Sequence, residues 1–148
     1  MDNLEECLWE FEAEAFGGLR MVVVAIINYQ DKVLVGKKRK DSPKFLSGEW
    51  HIPGEGIEGN ETDEQVLIRG MKDETGLDIK VGRYITSHQT PSSKKEARWY
   101  ECFAETDKVI PGDDLEDAKF VSKKDVLDYC GSRAVALWPK EVLDYFSN

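Results

Sequence analysis

Asp73 and Glu74 are adjacent carboxylates near the end of a helix-patterned segment, and the glycine-rich stretch Gly54-Glu55-Gly56-Ile57-Glu58-Gly59 runs into that segment. Two carboxylates beside such a stretch can hold a hard, oxygen-seeking cation such as Mg²⁺. That ion needs only one or two protein carboxylates and completes its shell with water and substrate phosphate. At about 100° per residue, Gly70 lies one turn before Glu74 and, at three-residue spacing, beside Asp73. The acidic pair therefore brackets a position with no side chain. Glycine inside a helix costs about 1 kcal/mol relative to alanine, so Gly70 points either to a need for space or to a packing accommodation. Glu61 precedes Arg69 by a little over two helical turns, close enough in angle for a structural ion pair. The alternative use of the same acidic residues is a solvated helix face.

The elements around these residues can be read from pattern and punctuation. Thr62 with Gln65 forms a capping-box signature, Asp63 and Glu64 complement the positive helix end, and Gly76 is a helix stop. Leu67, Ile68 and Met71 are expected to share the core face. Met21 to Ile27 is a continuous apolar run of strand length, consistent with burial on both faces. Tyr29 to Lys32 reads as a turn into the returning strand Val33 to Lys37, and Trp50 to Pro53 as a short strand before the glycine-rich loop. Leu77 to Thr86, Ala97 to Thr106 and Ala118 to Ser122 are further expected strands, with a polar loop over Ser87 to Glu96. Lys123 to Tyr129 predicts a helical turn or two. Pro139, followed by Val142, Leu143 and Phe146 on one face, predicts a closing amphipathic helix. Residues 2–16 read as a short helix or packing arm ending at Gly17-Gly18. Few helices interspersed with hairpins imply an α/β sandwich around a mixed sheet. No linker or repeat interrupts the chain, so a single domain is expected over 1–148, with an arm at 1–18 and the loop and helix at 54–77.

With 29 acidic against 20 basic side chains the net charge is -9, which argues against non-specific binding of DNA or RNA. A small phosphorylated ligand remains compatible, because metal masks its charge and the run Lys37-Lys38-Arg39-Lys40 offers a local basic lip. The same run could equally be a solvated loop. No apolar stretch is long enough to span a bilayer. The acidic start lacks the basic region of a secretory signal. Cys7, Cys102 and Cys130 fit neither a zinc site nor a disulfide framework, so the cytoplasm is the expected compartment. The arm bearing Trp9 and Phe11 could cover its own core or pair with a second subunit as a homodimer.

The stretch from 55 to 77 resembles the box of the Nudix (MutT-like) hydrolases, G-x5-E-x7-R-E-U-x-E-E-x-G-U with U a bulky aliphatic residue. Glu61, Arg69, Met71, Glu74, Gly76 and Leu77 fit, and Asp73 stands in place of a glutamate. Trp50, Pro53, Gly54 and Glu58 fit the wider pattern before the box. The chain departs at two positions: Glu55 occupies the first box glycine, and Gly70 occupies the glutamate after the arginine.

The resemblance implies a Nudix-type α/β/α sandwich. It also implies hydrolysis, with Mg²⁺ or Mn²⁺, of the pyrophosphate linkage of a nucleoside diphosphate joined to another moiety. It implies Asp73 and Glu74 as metal ligands, Glu55 as a further ligand through its backbone carbonyl, and Arg69 and Glu61 as orienting partners. Gly70 has no side chain to coordinate or accept a proton. A general base would then come from elsewhere. Glu116 precedes a strand where some members bring in a further acidic residue, and Glu58, Glu101 and His88 are the other candidates. Lys37, Arg39 and Arg98 are candidate phosphate contacts, and Glu58 joins them in the substrate-binding set. Either Trp99 or Tyr100 could stack on a base. The second reading of the same motif is a catalytically impaired Nudix-fold module that binds a nucleotide or metabolite. The third is a stable domain whose acidic helix is only a surface.

Overall fold

The apolar run becomes β1 (Arg20–Tyr29), and its residues alternate between two cores. The computed structural model describes residues 20–40, 48–89, 95–112 and 115–147. The expected N-terminal arm, with Cys7, Trp9 and Phe11, lies outside them. Val23, Ala25 and Ile27 face one layer and Val24 and Ile26 the other, all of them buried. Two-sided burial is why this strand has no polar alternation. Each valine and isoleucine among them contributes about 1.5–3 kcal/mol relative to exposure.

β2 (Lys32–Lys38) returns antiparallel to β1 through a turn in which Gln30 takes φ 56°. β3 (Trp50–His51) pairs with β2, and β4 (Gly54–Gly56) pairs antiparallel with β1. The glycine-rich stretch is thus partly strand, where the sequence suggested loop. Gly54 permits that close pairing, since a β-carbon there would lie 3.0 Å from the Val23 carbonyl oxygen.

Next comes α1 (Asp63–Thr75), with both arms of the capping box present and Gly76 closing it at φ 74°. β5 (Ile79–Gln89) and β6 (Lys95–Ala104) follow as an antiparallel pair, and β7 (Leu115–Ser122) pairs with β2. β5 runs three residues past its expected end, so His88 belongs to a strand and not to the polar loop. β6 lies parallel to β1 along nine paired positions, from Arg20 with Lys95 to Asn28 with Phe103. The sheet order is β3-β2-β1-β6-β5. A 3₁₀ turn (Lys123–Asp125) leads to the short helices α2 (Val126–Tyr129), α3 (Ser132–Val135) and α4 (Lys140–Ser147).

The result is the expected α/β/α sandwich. One core packs Val66, Leu67 and Met71 of α1 on Val23, Ala25, Ile27 and Leu34. The other packs Val126, Val142 and Phe146 on Val24, Ile26, Val35 and Trp99. Trp99, Trp138 and Phe146 form an aromatic chain there, with centroids 5.6 and 5.7 Å apart. Cys102 and Cys130 are buried free thiols, and burial pushes each up to about 12.

The face of α1 differs from expectation in one respect. Its buried residues are Val66, Leu67, Gly70, Met71, Glu74 and Thr75, whereas Ile68 is 43% exposed. At about 100° per residue the buried six fill half the helix circumference, and Ile68 falls about 20° past one edge. Asp73 falls the same distance past the other edge and is also exposed.

Candidate metal and phosphate site

Arg69 is the clasp between α1 and the stretch before it. Its Nε donates to Glu61 Oε2 at 2.8 Å and its Nη2 to Glu61 Oε1 at 2.9 Å, which realises the expected ion pair as a two-pronged one. Nη2 also reaches the Gly56 carbonyl oxygen at 3.2 Å. Glu58 lies 3.6 Å from Nη2 and Glu55 3.9 Å from Nη1. Arg69's hydrogen bonds hold the Glu61 carboxyl below the usual carboxylate range, and Glu61 in turn raises the guanidinium's affinity for its proton. One side chain thereby orders a whole acidic stretch. A planar, two-pronged arginine fork suits this task in a way that a lysine point charge does not.

Glu74 is only 5% exposed and lies near the middle of the buried arc, one turn from Gly70. Glu55 projects from β4 onto α1. A β-carbon on Gly70 would meet Glu55 Cγ at 2.6 Å and Oε2 at 3.1 Å. Glu55 Oε1 accepts from the Gly56 N–H at 3.1 Å. Among the described residues Gln30 is the only non-glycine with positive φ, so Glu55 fits its box position without backbone strain. Carboxylates of Glu55, Glu58 and Glu61 thus gather around Arg69, and Asp73 follows one turn after Arg69 on the exposed edge of α1. Among the described residues, no three Asp, Glu, His or Cys side chains converge closely enough to cage a cation unaided. Mg²⁺ does not require such a cage, since it keeps several waters and shares substrate phosphate.

The other expected site residues have partners of their own. Glu116, on β7, accepts from the Lys40 backbone N–H at 3.0 Å and sits 3.7 Å from Lys37 Nζ, so it belongs to the basic lip. Arg39 is exposed on that lip. Arg98 is engaged by acidic partners. Its Nε and Nη2 donate to Asp63 at 2.8 and 2.6 Å, and its Nη1 to Glu96 at 2.9 Å. Phosphate binding by Arg98 would require exchanging those bonds.

Glu101 and His88 contact the opposite layer from α1. Tyr145 of α4 donates to Glu101, and the Trp99 indole donates to His88 Nε2 at 3.1 Å. Neither contact places a base beside the acidic helix. Trp99 is 3% exposed in the α4 core, so of the two aromatic candidates only Tyr100 lies on the α1 side, edge-on to Tyr84 at 5.5 Å.

Sequence reasoning missed the Glu55 side chain, having assigned that residue only a backbone carbonyl, and it missed the role of Asp63. The signal for Glu55 was present: the two departures from the box are a glycine replaced by glutamate and a glutamate replaced by glycine.

Comparison with known proteins agrees with this geometry. A NUDIX domain model matches residues 19–146. Escherichia coli (strain K12) CTP pyrophosphohydrolase is 35% identical over 68 residues, covering 46% of this chain and 49% of that protein. NAD-capped RNA hydrolase NudC of Pseudomonas putida is 24% identical over 115 residues, covering 77% and 40%. ADP-ribose pyrophosphatase of Methanocaldococcus jannaschii is 30% identical over 104 residues, covering 68% and 60%. The chain therefore spans about half or less of the first two relatives. In structure it is similar to a NUDIX hydrolase from Nitrosomonas europaea, with TM-score 0.70 at 16% identity, covering 80% of this chain and 67% of that one. It is also similar to the E. coli ORF135 protein, with TM-score 0.66 at 21% identity, covering 90% and 94%. With the domain match running from the first strand to the last helix, over a mixed sheet and an arginine-clasped acidic helix, the chain belongs to the NUDIX family.

Proposed function

We propose that this protein is a divalent-metal-dependent hydrolase that cleaves the pyrophosphate linkage of a nucleoside triphosphate or other nucleoside diphosphate derivative. The observation that carries this reading is the Arg69 clasp, which gathers Glu55, Glu58 and Glu61 against a helix whose buried face presents Glu74. Such a site suits a cation shared between protein carboxylates and a diphosphate. Mg²⁺ or Mn²⁺, bound by Glu74 with Asp73 and Glu55 as further candidates, would neutralise the diphosphate and acidify a water.

The protein's own groups then have definable tasks. Arg69 and Glu61 hold the stretch in register with α1. Lys37 and Arg39 on the basic lip attract the phosphates. Attack by water forms one P–O bond and breaks the bridging anhydride P–O bond, and the water's proton passes to a carboxylate. Among the base candidates, Glu58 is the one in contact with the clasp. The exposed Tyr84 beside Tyr100 offers a ring for stacking on a base. The named activities of the relatives, on CTP, NAD-capped RNA and ADP-ribose, define the substrate panel.

The test is phosphate or pyrophosphate release over nucleoside triphosphates, nucleotide sugars and dinucleotides with Mg²⁺ or Mn²⁺. Turnover on one class, reduced by about 10²-fold or more in Glu74→Gln, is expected. A second reading, a module that binds a nucleotide with little turnover, draws its support from Gly70, where the box carboxylate is missing. Tight nucleotide binding without turnover on any substrate would select it.

A further inference from the structure

We propose that Glu55 and Gly70 are an exchanged pair, in which the Glu55 carboxylate supplies to the metal site the acidic group that position 70 lacks. This rests on the hydrolase reading above and assigns a ligand within it. A β-carbon at position 70 would lie 2.6 Å from Glu55 Cγ, 2.7 Å from Cβ and 3.1 Å from Oε2. Carbon atoms in favourable contact stand about 3.5–4.0 Å apart, so side chains at both positions cannot coexist in this geometry. The atoms in conflict include Cβ, which cannot swing away because the Glu55 backbone is paired with Val23 in the sheet. Gly70 is thus required by Glu55. Glu55 Cβ and Cγ fill the space in which a side chain at 70 would begin, and Oε2 stands 3.1 Å from that point.

Its position is held from two sides. Oε1 accepts from the Gly56 N–H at 3.1 Å, and Oε2 stands 3.9 Å from Arg69 Nη1. A carboxylate has about four acceptor sites, so these contacts are compatible with binding a cation. Glu74 follows one turn later on the same buried face of α1. A glycine missing from the strand and a carboxylate missing from the helix are then one substitution seen from its two ends. The acidic group reaches the site from β4 instead of from α1.

The experiment uses Mn²⁺ alone, titrated by calorimetry or electron paramagnetic resonance, with melting temperatures of the metal-free proteins recorded in parallel. The unaltered protein binds Mn²⁺. Glu55→Gln, which keeps the shape, weakens binding by at least about tenfold, with little change in metal-free melting temperature. Gly70→Glu alone lowers the metal-free melting temperature by about 3 °C or more. Combined with Glu55→Gly, it recovers both the melting temperature and Mn²⁺ affinity to within about threefold of the unaltered protein. Unchanged Mn²⁺ binding in Glu55→Gln would overturn the exchange while leaving the hydrolase reading in place. So would a Gly70→Glu protein that melts normally and binds Mn²⁺ more tightly, or a double variant that recovers neither property. An unaltered protein that binds no Mn²⁺ would overturn both.

Discussion

Arg98 and Asp63 form a two-pronged ion pair, 2.8 and 2.6 Å long, that joins the first turn of α1 to the middle of β6. Tyr100 donates a third bond to the same carboxylate at 2.7 Å. Asp63 thereby serves two ends at once: it complements the positive helix terminus and anchors the helix to the sheet. Arg98's bonds hold the Asp63 carboxyl below the usual range, against the opposing effect of burial. Burial, then the neighbouring Asp63, pushes the Tyr100 phenol up to about 12.

Asp63→Asn is expected to destabilise the protein by about 2 kcal/mol, the scale of lost hydrogen bonds to a charged group. Arg98→Lys loses the fork geometry and gives a smaller loss in the same direction. Urea denaturation at neutral pH measures both.

The same carboxylate carries a pH dependence. Asp63 and Glu61 both have folded-state values lowered below their unfolded ones. Their stabilisation is therefore present above the unfolded carboxylate range of about pH 4 and is lost as pH falls through the lowered values. Urea midpoints between pH 5 and pH 2 are expected to drop, and less steeply in Asp63→Asn.

His88 acts in a different window. Burial lowers its pKa, and its Nε2 accepts the Trp99 indole hydrogen, which requires the neutral ring. The unfolded chain takes up a proton near pH 6.5 before the folded protein does. Stability is therefore complete above that pH and declines as pH falls through the lowered folded value. His88→Gln is expected to flatten the melting-temperature profile between pH 7 and pH 5.

Arg69→Lys keeps the charge and loses the two-pronged hold on Glu61 and the bond to Gly56. Mn²⁺ affinity is expected to fall by about 10- to 100-fold, as when an orienting partner outside the metal's own shell is removed. Calorimetric titration reads the change. A Glu61→Gln variant, which retains one prong, should fall between Arg69→Lys and the unaltered protein.

The helix ends give two local predictions. Thr62→Ala removes the side chain that accepts from the Gln65 N–H at 3.2 Å and is expected to cost about 1 kcal/mol. Gly76→Ala forces a β-carbon into the left-handed region at φ 74° and costs about 1–2 kcal/mol. Thermal unfolding checks both, with turnover per folded molecule expected to change less than stability does.

Local chemistry accounts for what the sequence by itself determined. The capping box, the glycine stop and the Glu61–Arg69 pair lie within one helix and its lead-in, where spacing alone brings groups together. The two-sided burial of β1 was legible for a related reason: where a strand is covered on both faces, as from Met21 to Ile27, no polar residue alternates with the apolar ones. Tertiary structure decided the rest. The parallel pairing of β1 with β6 depends on where a long crossover returns. That return sets Arg98 against Asp63 and leaves no charge on that guanidinium unanswered. Burial on α1 placed Glu74 inside and Asp73 at the edge, a difference of one residue that helical periodicity blurs. Glu55 meets Gly70 because β4 pairs with β1 beneath α1, a contact across 15 positions of chain that no local pattern encodes.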